Sequence, residues 1–143
     1  MATYDAGSLT NKTKKSVKIY KDLNLDFQQN TATKDIQKIE DVESVKRSVR
    51  NLVSLNYYEK PFHPEIAGDV RGLLFELMTP LTSAVIARKI QDVIENFEPR
   101  ARLTGVQAVP DFDRNAYEVT IYFYVVNAPT ELVEVTQLLE RLR

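Results

Sequence analysis

Large apolar residues recur at three- and four-residue steps from about residue 35, a period that predicts amphipathic helices. We expect the first helix to start near Asp35, with Asp35 or Thr33 as its N-cap. Its apolar stripe comprises Ile39, Val42, Val45, Val49 and Leu52. The following "NYYEKPFHPEIAGD", with two prolines and a glycine, predicts a loop or an extended connection.

Two further helices are predicted after this connection. The first runs from about Asp69 to Met78, and its inward residues are Leu73, Leu74, Leu77 and Met78. Thr79-Pro80 should break it, and Thr82 is the expected N-cap of a helix from about Ser83 to Phe97. The apolar face of that last helix is Val85, Ile86, Ile90, Val93, Ile94 and Phe97.

After Arg100 the apolar period becomes two, which is typical of strands. "RLTGVQAV" predicts one strand, ended by Pro110, and "DFDRNA" predicts a turn. "YEVTIYFYVV" predicts the strongest strand, with one face formed by Tyr117, Val119, Ile121, Phe123 and Val125. Tyr122, Tyr124 and Val126 make its second half apolar on both faces, so we expect this strand to be sandwiched or to lie at an edge that receives a partner.

The C-terminal stretch "PTELVEVTQLLERLR" fits two patterns. Leu132, Val135, Leu139 and Leu142 have helical spacing. Val133, Val135 and Leu139 alternate imperfectly, with Gln137 between them, as in a strand. Propensity alone favours the helix.

The first 34 residues differ from the rest because they are rich in Thr, Asn, Lys, Asp and Gln. The first 18 positions contain one acidic residue, Asp5, and four basic residues, Lys12, Lys14, Lys15 and Lys18. Such a segment would not fold alone. Either it is a loose tail, or it is an arm that becomes ordered on a partner. "IYKDLNLDF" favours the arm, because disordered tails rarely carry so many large apolar residues.

Composition excludes several classes of function. The chain has 143 residues, no cysteine, one histidine and a formal net charge of −1. A single chain therefore has no disulfide, no thiolate nucleophile and no histidine cluster for a metal. The near-neutral charge predicts neither nucleic-acid nor membrane binding, and no apolar run is long enough to span a bilayer.

Catalytic groups show no specific pattern. His63 is the only candidate base for a nucleophilic triad, and it is more simply a loop residue between Phe62 and Pro64. Glu65, Asp69 and Glu76 lie close in sequence, but a chain with 20 acidic residues produces such proximity by chance. We therefore expect no catalytic residue, metal or cofactor.

Glu98-Pro99-Arg100 separates the last helix from the first long strand. One interpretation is a helix stop, because proline disfavours helix in the residue before it. In that case Arg100 would lie near the helix C-terminus, and its pairing with Glu98 would contribute little if exposed. The alternative is a rigid corner that holds a carboxylate and a guanidinium for another protein, with Arg100 binding in a bidentate manner.

"FHPEIAGDVRGLLFELMTPLT", followed by a helix and "NFEPRARL", resembles the baseplate wedge family of contractile phage tails, the GPW family, historically labelled "lysozyme-like". The matching features are Phe62, Pro64 and Gly68 in a loop, the run Leu74-Phe75-Glu76, Thr79-Pro80-Leu81-Thr82, and Glu98-Pro99-Arg100. "YKDLNLDF" also resembles the family's amino-terminal segment.

The resemblance implies an α+β domain with a small helical part packed on a short antiparallel β-sheet, preceded by an extended N-terminal arm. The expected division is an arm over residues 1–34 and a domain over 35–143. It also implies that 131–141 is a strand, against its propensity.

The implied role is structural: a baseplate component in the virion tail, assembled in the host cytoplasm and present in six copies. Glu98, Pro99 and Arg100 would contact the core helical bundle of other wedge proteins. Strands in 117–143 would receive strands of the tail sheath protein. The residues expected there are Tyr122, Tyr124, Val126, Val133, Val135 and Leu139.

Two other functions stay open at this point. The family's old label suggests a muramidase acting on peptidoglycan, which would need an acid with a raised pKa. A binding module unrelated to tails is the third. A further hypothesis is that Lys12–Lys18 wraps a neighbouring wedge protein.

Overall fold

A three-stranded antiparallel sheet and two long helices enclose the core, and a two-stranded sheet lies beside them. The computed structural model describes residues 20–140, except the side chains of residues 129 and 130. The elements are β1 (Lys21–Leu23), β2 (Lys38–Glu40), α1 (Asp41–Ser54), α2 (Val70–Leu73), α3 (Pro80–Phe97), β3 (Ala101–Asp111), β4 (Ala116–Val125) and β5 (Ala128–Glu140). This mixed architecture confirms the α+β class.

The large sheet has the order β3-β4-β5, so β4 is its central strand. Of the two positions expected for β4, the open edge was wrong, because the strand is hydrogen-bonded on both sides. Its two-sided apolar character has another cause. One face is fully buried under the helices, whereas Tyr122 and Tyr124 lie half-buried on the opposite face, where neighbouring side chains of β3 and β5 flank them.

A single apolar cluster joins the helices to the sheet. Its largest fully buried members include Tyr117, Phe123, Ile86, Ile90 and Ile94. Every second residue of β4 from Tyr117 to Val125 belongs to it, as the alternation predicted. Burial of this apolar area is the main stabilising term for the domain.

Helix α1 begins later than the sequence predicts. It starts at Asp41 rather than near Asp35, and its N-cap is Glu40, without a side-chain cap bond. Ile39 has helical spacing but belongs to β2, where it pairs with Asp22 of β1. The apolar stripe therefore continued by coincidence across a strand-to-helix junction.

The second helix is much shorter than expected and covers only Val70–Leu73. Leu77, predicted to face inward, is 84% exposed. Pro80 does not follow a helix here but occupies the first turn of α3, where its missing N–H costs nothing. The N-cap is Thr79, whose Oγ1 accepts from the Thr82 N–H at 3.2 Å, so the prediction of Thr82 as cap was wrong. Val85, assigned to the inward face of α3, is exposed.

Pro110 lies inside β3 and is paired with Tyr117, whereas the sequence predicted that it ends the strand. An edge strand tolerates proline because one side of it has no ladder to complete.

The C-terminal stretch is a strand, as the resemblance implied and against its propensity. Val133, Val135 and Leu139 are buried in the core, whereas Leu132, which a helix would have placed with them, is half exposed. Tertiary packing against β4 and α1 has overridden local preference.

The described part of the N-terminal region is attached to the domain. β1 pairs with β2 in the register Lys21↔Glu40 to Leu23↔Lys38 and so connects the two sides of the expected boundary at residue 34. Lys12–Lys18 lie outside the described residues.

We expect truncation of two adjacent residues of β5 to have very different effects on stability. Val133→Ala should lower the free energy of unfolding by about 2 kcal/mol, since it removes buried methyl groups and leaves a cavity. Leu132→Ala should change it by less than about 0.5 kcal/mol, because that side chain is half exposed. Urea unfolding of both variants measures this. The reverse order would indicate a helical tail.

Candidate functional site

The corner at Glu98-Pro99-Arg100 is formed by the end of α3 and the start of β3. Glu98 is the C-cap of α3, and its N–H still donates to the Ile94 carbonyl at 2.9 Å. Pro99 then prevents further helix. The Arg100 carbonyl accepts from the Val126 N–H at 3.0 Å, which fixes the corner to the end of β4.

The guanidinium of Arg100 is bound within the chain. Its Nε donates to Glu98 Oε1 at 2.7 Å and its Nη2 donates to Glu98 Oε2 at 2.9 Å, which is a bidentate pair. Its Nη1 donates to Asp22 Oδ2 at 3.0 Å. The guanidinium also lies 5.5 Å from the centre of the Tyr20 ring.

Glu98 is buried, with 3% of its side chain exposed. Burial raises the pKa of its carboxyl, but hydrogen bonds from Arg100 and from the Ser48 hydroxyl outweigh that effect, so the pKa lies below its ordinary value. The expectation of an exposed pair of little value therefore does not apply. Removal of one partner of such a pair leaves an uncompensated buried charge.

Asp22 closes the cluster from the N-terminal side. The Ser44 hydroxyl donates to Asp22 Oδ2, and this bond, together with Arg100, lowers the pKa of the Asp22 carboxyl against the opposing effect of burial. The corner is thereby connected to β1 and to α1 as well as to α3 and β3.

Sequence reasoning missed four residues of this cluster: Tyr20, Asp22, Ser44 and Ser48. Two signals could have found them. Ser44 and Ser48 are four apart and lie beside the stripe residues Val45 and Val49, so two hydroxyls project from near the buried face of α1. Tyr20 and Asp22 belong to "YKDLNLDF", the segment already noted for its resemblance.

Two cavities flank the corner. One, of about 610 Å³, lies between β1, β2 and α1, and Arg100, Asp22, Ser44 and Arg47 are among its lining residues. The other, of about 640 Å³, lies on the β3–β4 side, beside Pro99, Arg102 and Tyr124. Pro99 is the exposed member of the triplet and faces the second cavity.

The loop with the family-like residues lies away from the corner along the chain. Gly68 is buried, and a Cβ there would lie 3.2 Å from Val70 Cγ2 and 3.4 Å from the Leu52 and Val53 carbonyl oxygens. This tight packing explains the glycine. Phe62 is almost fully exposed and has a positive φ of 66°. The Pro64 carbonyl accepts from the Tyr58 N–H at 3.2 Å.

The six residues expected to contact the sheath protein fall into two groups. Tyr122, Tyr124 and Val126 are half-buried or exposed. The other three, Val133, Val135 and Leu139, are buried in the core, so their side chains attach β5 to the domain and are not available to a partner. The role of these strands in receiving another chain stays a prediction, as does the role of the corner in wedge contact.

Candidate catalytic groups are dispersed. His63 Nδ1 lies 3.1 Å from Glu65 Oε1 on the surface, and Asp69 pairs with Lys89 at 3.1 Å. Among residues 20–140, no three His, Asp or Glu side chains are grouped to hold a metal ion. No helix in this part of the chain is long and apolar enough to cross a membrane.

Residues 39–130 match the family described as baseplate wedge protein gp25. The chain is also 30% identical over 118 residues to baseplate wedge protein gp25 of Enterobacteria phage T4, which covers 82% of this chain and 89% of the phage protein. This protein belongs to the gp25 family of baseplate wedge proteins. The resemblance inferred from the motifs is thus confirmed, and family membership assigns the protein to the phage tail baseplate.

Two solved structures share the fold of this gp25-family protein. A chain of the sixfold-symmetrised baseplate of the anti-feeding prophage has a TM-score of 0.60 and 19% identity, covering 87% of this chain and 88% of that chain. A putative tail lysozyme from Geobacter sulfurreducens has a TM-score of 0.64 and 18% identity, covering 71% and 91%. At these identities the likeness shows the fold alone.

Arg100→Ala should lower the free energy of unfolding by about 3 kcal/mol or more, because it leaves the Glu98 carboxylate buried and unpaired. Replacement of both residues, by Glu98→Gln with Arg100→Met, should recover part of that loss. Arg88→Ala, on the exposed side of α3, is the control and should have little effect. Denaturant unfolding measures all three. Equal stability of Arg100→Ala and Arg88→Ala would contradict a stabilising role for the buried Glu98–Arg100 ion pair.

Asp22→Asn should remove an acid-sensitive part of the stability. The folded pKa of Asp22 is lowered, so its contribution is complete above its ordinary value of 3.8 and is lost as pH falls through the lower folded pKa. The stability difference between wild type and Asp22→Asn should therefore shrink below pH 3.8. Unfolding free energies across pH measure it, with Asp92→Asn as control. A difference that stays constant with pH would argue against the ionised cluster.

Proposed function

We propose that this protein is a non-catalytic adaptor of a contractile tail, which holds the neighbouring wedge proteins at its corner and receives the tail sheath protein along β5. The observation that carries the proposal is the free outer edge of β5, a 13-residue strand that pairs with β4 on one side and with no other strand of residues 20–140. An edge of this kind accepts an added strand through backbone hydrogen bonds.

The corner suits a docking role because it is rigid. Arg100 and Glu98 neutralise each other, and bonds to Asp22, Ser44 and Ser48 fix their positions. A contact surface held in one geometry before binding loses less entropy when a partner arrives. The part offered to helices of the core bundle is then exposed Pro99 with the apolar and polar rim of the adjoining cavity, rather than a free guanidinium.

Six copies around the tail axis fit this role. The similar chain of the anti-feeding prophage belongs to a baseplate analysed with sixfold symmetry. Six copies of this protein would present six β5 edges to the first ring of sheath subunits. Each backbone hydrogen bond formed at such an edge would contribute about 0.5–1.5 kcal/mol.

A peptidoglycan-cleaving role has weaker support, although one protein of the same fold is titled a putative tail lysozyme. Such an enzyme needs a carboxyl with a raised pKa. Each described carboxyl with a clearly displaced pKa is displaced downward; these are Asp22, Asp26, Glu59, Glu65 and Glu98. Clearing of a cell-wall suspension by the purified protein would overturn the non-catalytic assignment.

Backbone amide hydrogen exchange tests the adaptor. Addition of the sheath protein of the same tail should protect about half of the β5 amides, those whose N–H points to the free edge, and leave β3 amides unchanged. Binding without added protection in β5 would contradict strand addition. This design avoids deleting β5, which would also remove Val133, Val135 and Leu139 from the core.

The second arm of the experiment tests the corner. Pro99→Ala should weaken co-purification with the neighbouring wedge proteins while the fold is kept, because Pro99 is exposed. Pro61→Ala, at an exposed proline of the loop, is the matched control. If both variants bind the wedge proteins as the wild type does, the corner has a purely internal role.

A further inference from the structure

The two outer strands of the large sheet differ in how well they resist pairing with another chain. β3 carries exposed Arg102, a register shift between Leu103 and Gly105, and Pro110. Charge, bulges and proline are the usual means of blocking an edge. Residues 128–140 contain no lysine or arginine, and the shift in β5 pairing lies at its start, beside Tyr124 and Val125. From residue 132 onward β5 is therefore the open edge.

The outward face of β5 has a regular chemical pattern. Its alternate residues are Leu132, Glu134, Thr136, Leu138 and Glu140. Leu132 is 50% exposed and Leu138 is 37% exposed. Glu118 of β4 lies opposite Leu138 and adds a further negative charge to the same face. The described residues of β5 and this neighbour thus provide acidic positions between apolar ones.

The inward side of β5 has an unfilled space near its C-terminal half. A cavity of about 250 Å³ lies between β5 and helices α1 and α2; its lining is apolar at Val53, Val70, Leu74 and Leu139, and charged at Arg71 and at Glu140 on its rim. Gln137 also lines it and donates from Nε2 to the Ser54 hydroxyl at 2.9 Å. The other amide atom, Gln137 Oε1, is buried and has no hydrogen-bond partner among the described residues. A buried acceptor without a donor is costly.

We propose that β5 selects an extended segment of another protein with a defined side-chain pattern. On its outward face the segment carries apolar residues opposite Leu132 and Leu138 and basic residues opposite Glu134 and Glu140. On its inward face one side chain enters the cavity beside Gln137. This proposal rests on the proposed strand addition and names the chemistry of the strand that is received.

The outward pattern follows from cross-strand pairing. Residues directly opposite each other on one face of a sheet are close enough for charge and apolar contacts, and opposite charges stabilise while like charges destabilise. Every second residue of the incoming strand meets one of the five outward residues of β5. The segment therefore reads apolar, basic, neutral, apolar, basic at alternate positions, in an order set by its direction.

The same charges disfavour a second copy of this chain as the occupant. β5 carries Glu131, Glu134 and Glu140 and no basic residue within 128–140. Two such strands paired in parallel and in register would place each of these carboxylates opposite its own copy. A basic segment removes this repulsion, so the acidic edge both attracts its partner and limits self-association.

Synthetic 13-residue peptides, equal in length to β5, test the pattern directly. One peptide has lysines at the positions facing Glu134 and Glu140 and leucines at those facing Leu132 and Leu138. A second has glutamates in place of the lysines, and a third replaces the cavity-facing asparagine of the first, whose amide can donate to Gln137 Oε1, by leucine. The wild-type protein should bind the first about tenfold more tightly than the second, and the third should also bind less tightly. The preference for the first should decrease as salt is raised.

The protein variants use matched surface charges. Glu134→Lys should abolish the preference between the lysine and glutamate peptides, because Glu140 still favours lysine at the other position, whereas Asp92→Lys, on the exposed face of α3, should preserve it. Unfolding free energies close to the wild-type value verify that both variants fold. Equal binding of the two peptides by the wild-type protein would overturn the proposed charge pattern.

Failure of this inference can be separated from failure of the adaptor role. If the sheath protein protects β5 amides equally in wild type and Glu134→Lys, strand addition stands and charge selection is wrong. If the sheath protein protects no β5 amide in either protein, strand addition itself is wrong. The side-chain pattern proposed for the received strand is then wrong as well.

Discussion

The buried ion pair between Glu98 and Arg100 is the constraint on which the arrangement of the other elements depends. A carboxylate with 3% exposure needs a cation and hydrogen-bond donors, and Arg100 and Ser48 supply them. To do so, the end of α3, the start of β3 and the middle of α1 must meet at one point. Arg100 also bonds to Asp22, which brings β1 to the same point. A three-residue corner thus fixes the relative positions of four elements.

This coupling bears on the docking role proposed for the corner. The helix-stop interpretation and the contact interpretation looked like alternatives in the sequence, but the geometry is compatible with both. Pro99 ends the helix, and the paired residues on either side of it hold the proline at the surface, where it lines the cavity on the β3–β4 side. The charged groups stabilise the shape, and in the proposed role a partner would meet the exposed surface around Pro99. A loss of binding in Arg100 variants therefore has to be separated from loss of folding.

The strands of the large sheet also differ in what they contribute to the core and to the surface. β4 is buried on one face and flanked on both sides, so it serves as the structural centre. β3 has a bulge and a proline, which protect its edge. β5 supports the core with Val133, Val135 and Leu139 and leaves its opposite edge open. Because the core residues and the open backbone belong to one strand, the proposed strand addition would be physically linked to domain stability.

The sequence by itself determined the elements whose periodicity is strong and local. These are the apolar stripe of α1 from Val45 to Leu52, the body of α3, and the alternation of β4 from Tyr117 to Val125. The motifs also determined the family, because several short matches in the right order are more specific than any one of them. Tertiary structure decided the remainder. Ile39 had helical spacing but pairs with Asp22, and Leu132 had helical spacing but lies outward on a strand, since a partner strand supplies hydrogen bonds that no local pattern encodes. The contacts of Arg100 with Asp22 and Ser44 span 78 and 56 residues, so only folding could bring these groups together.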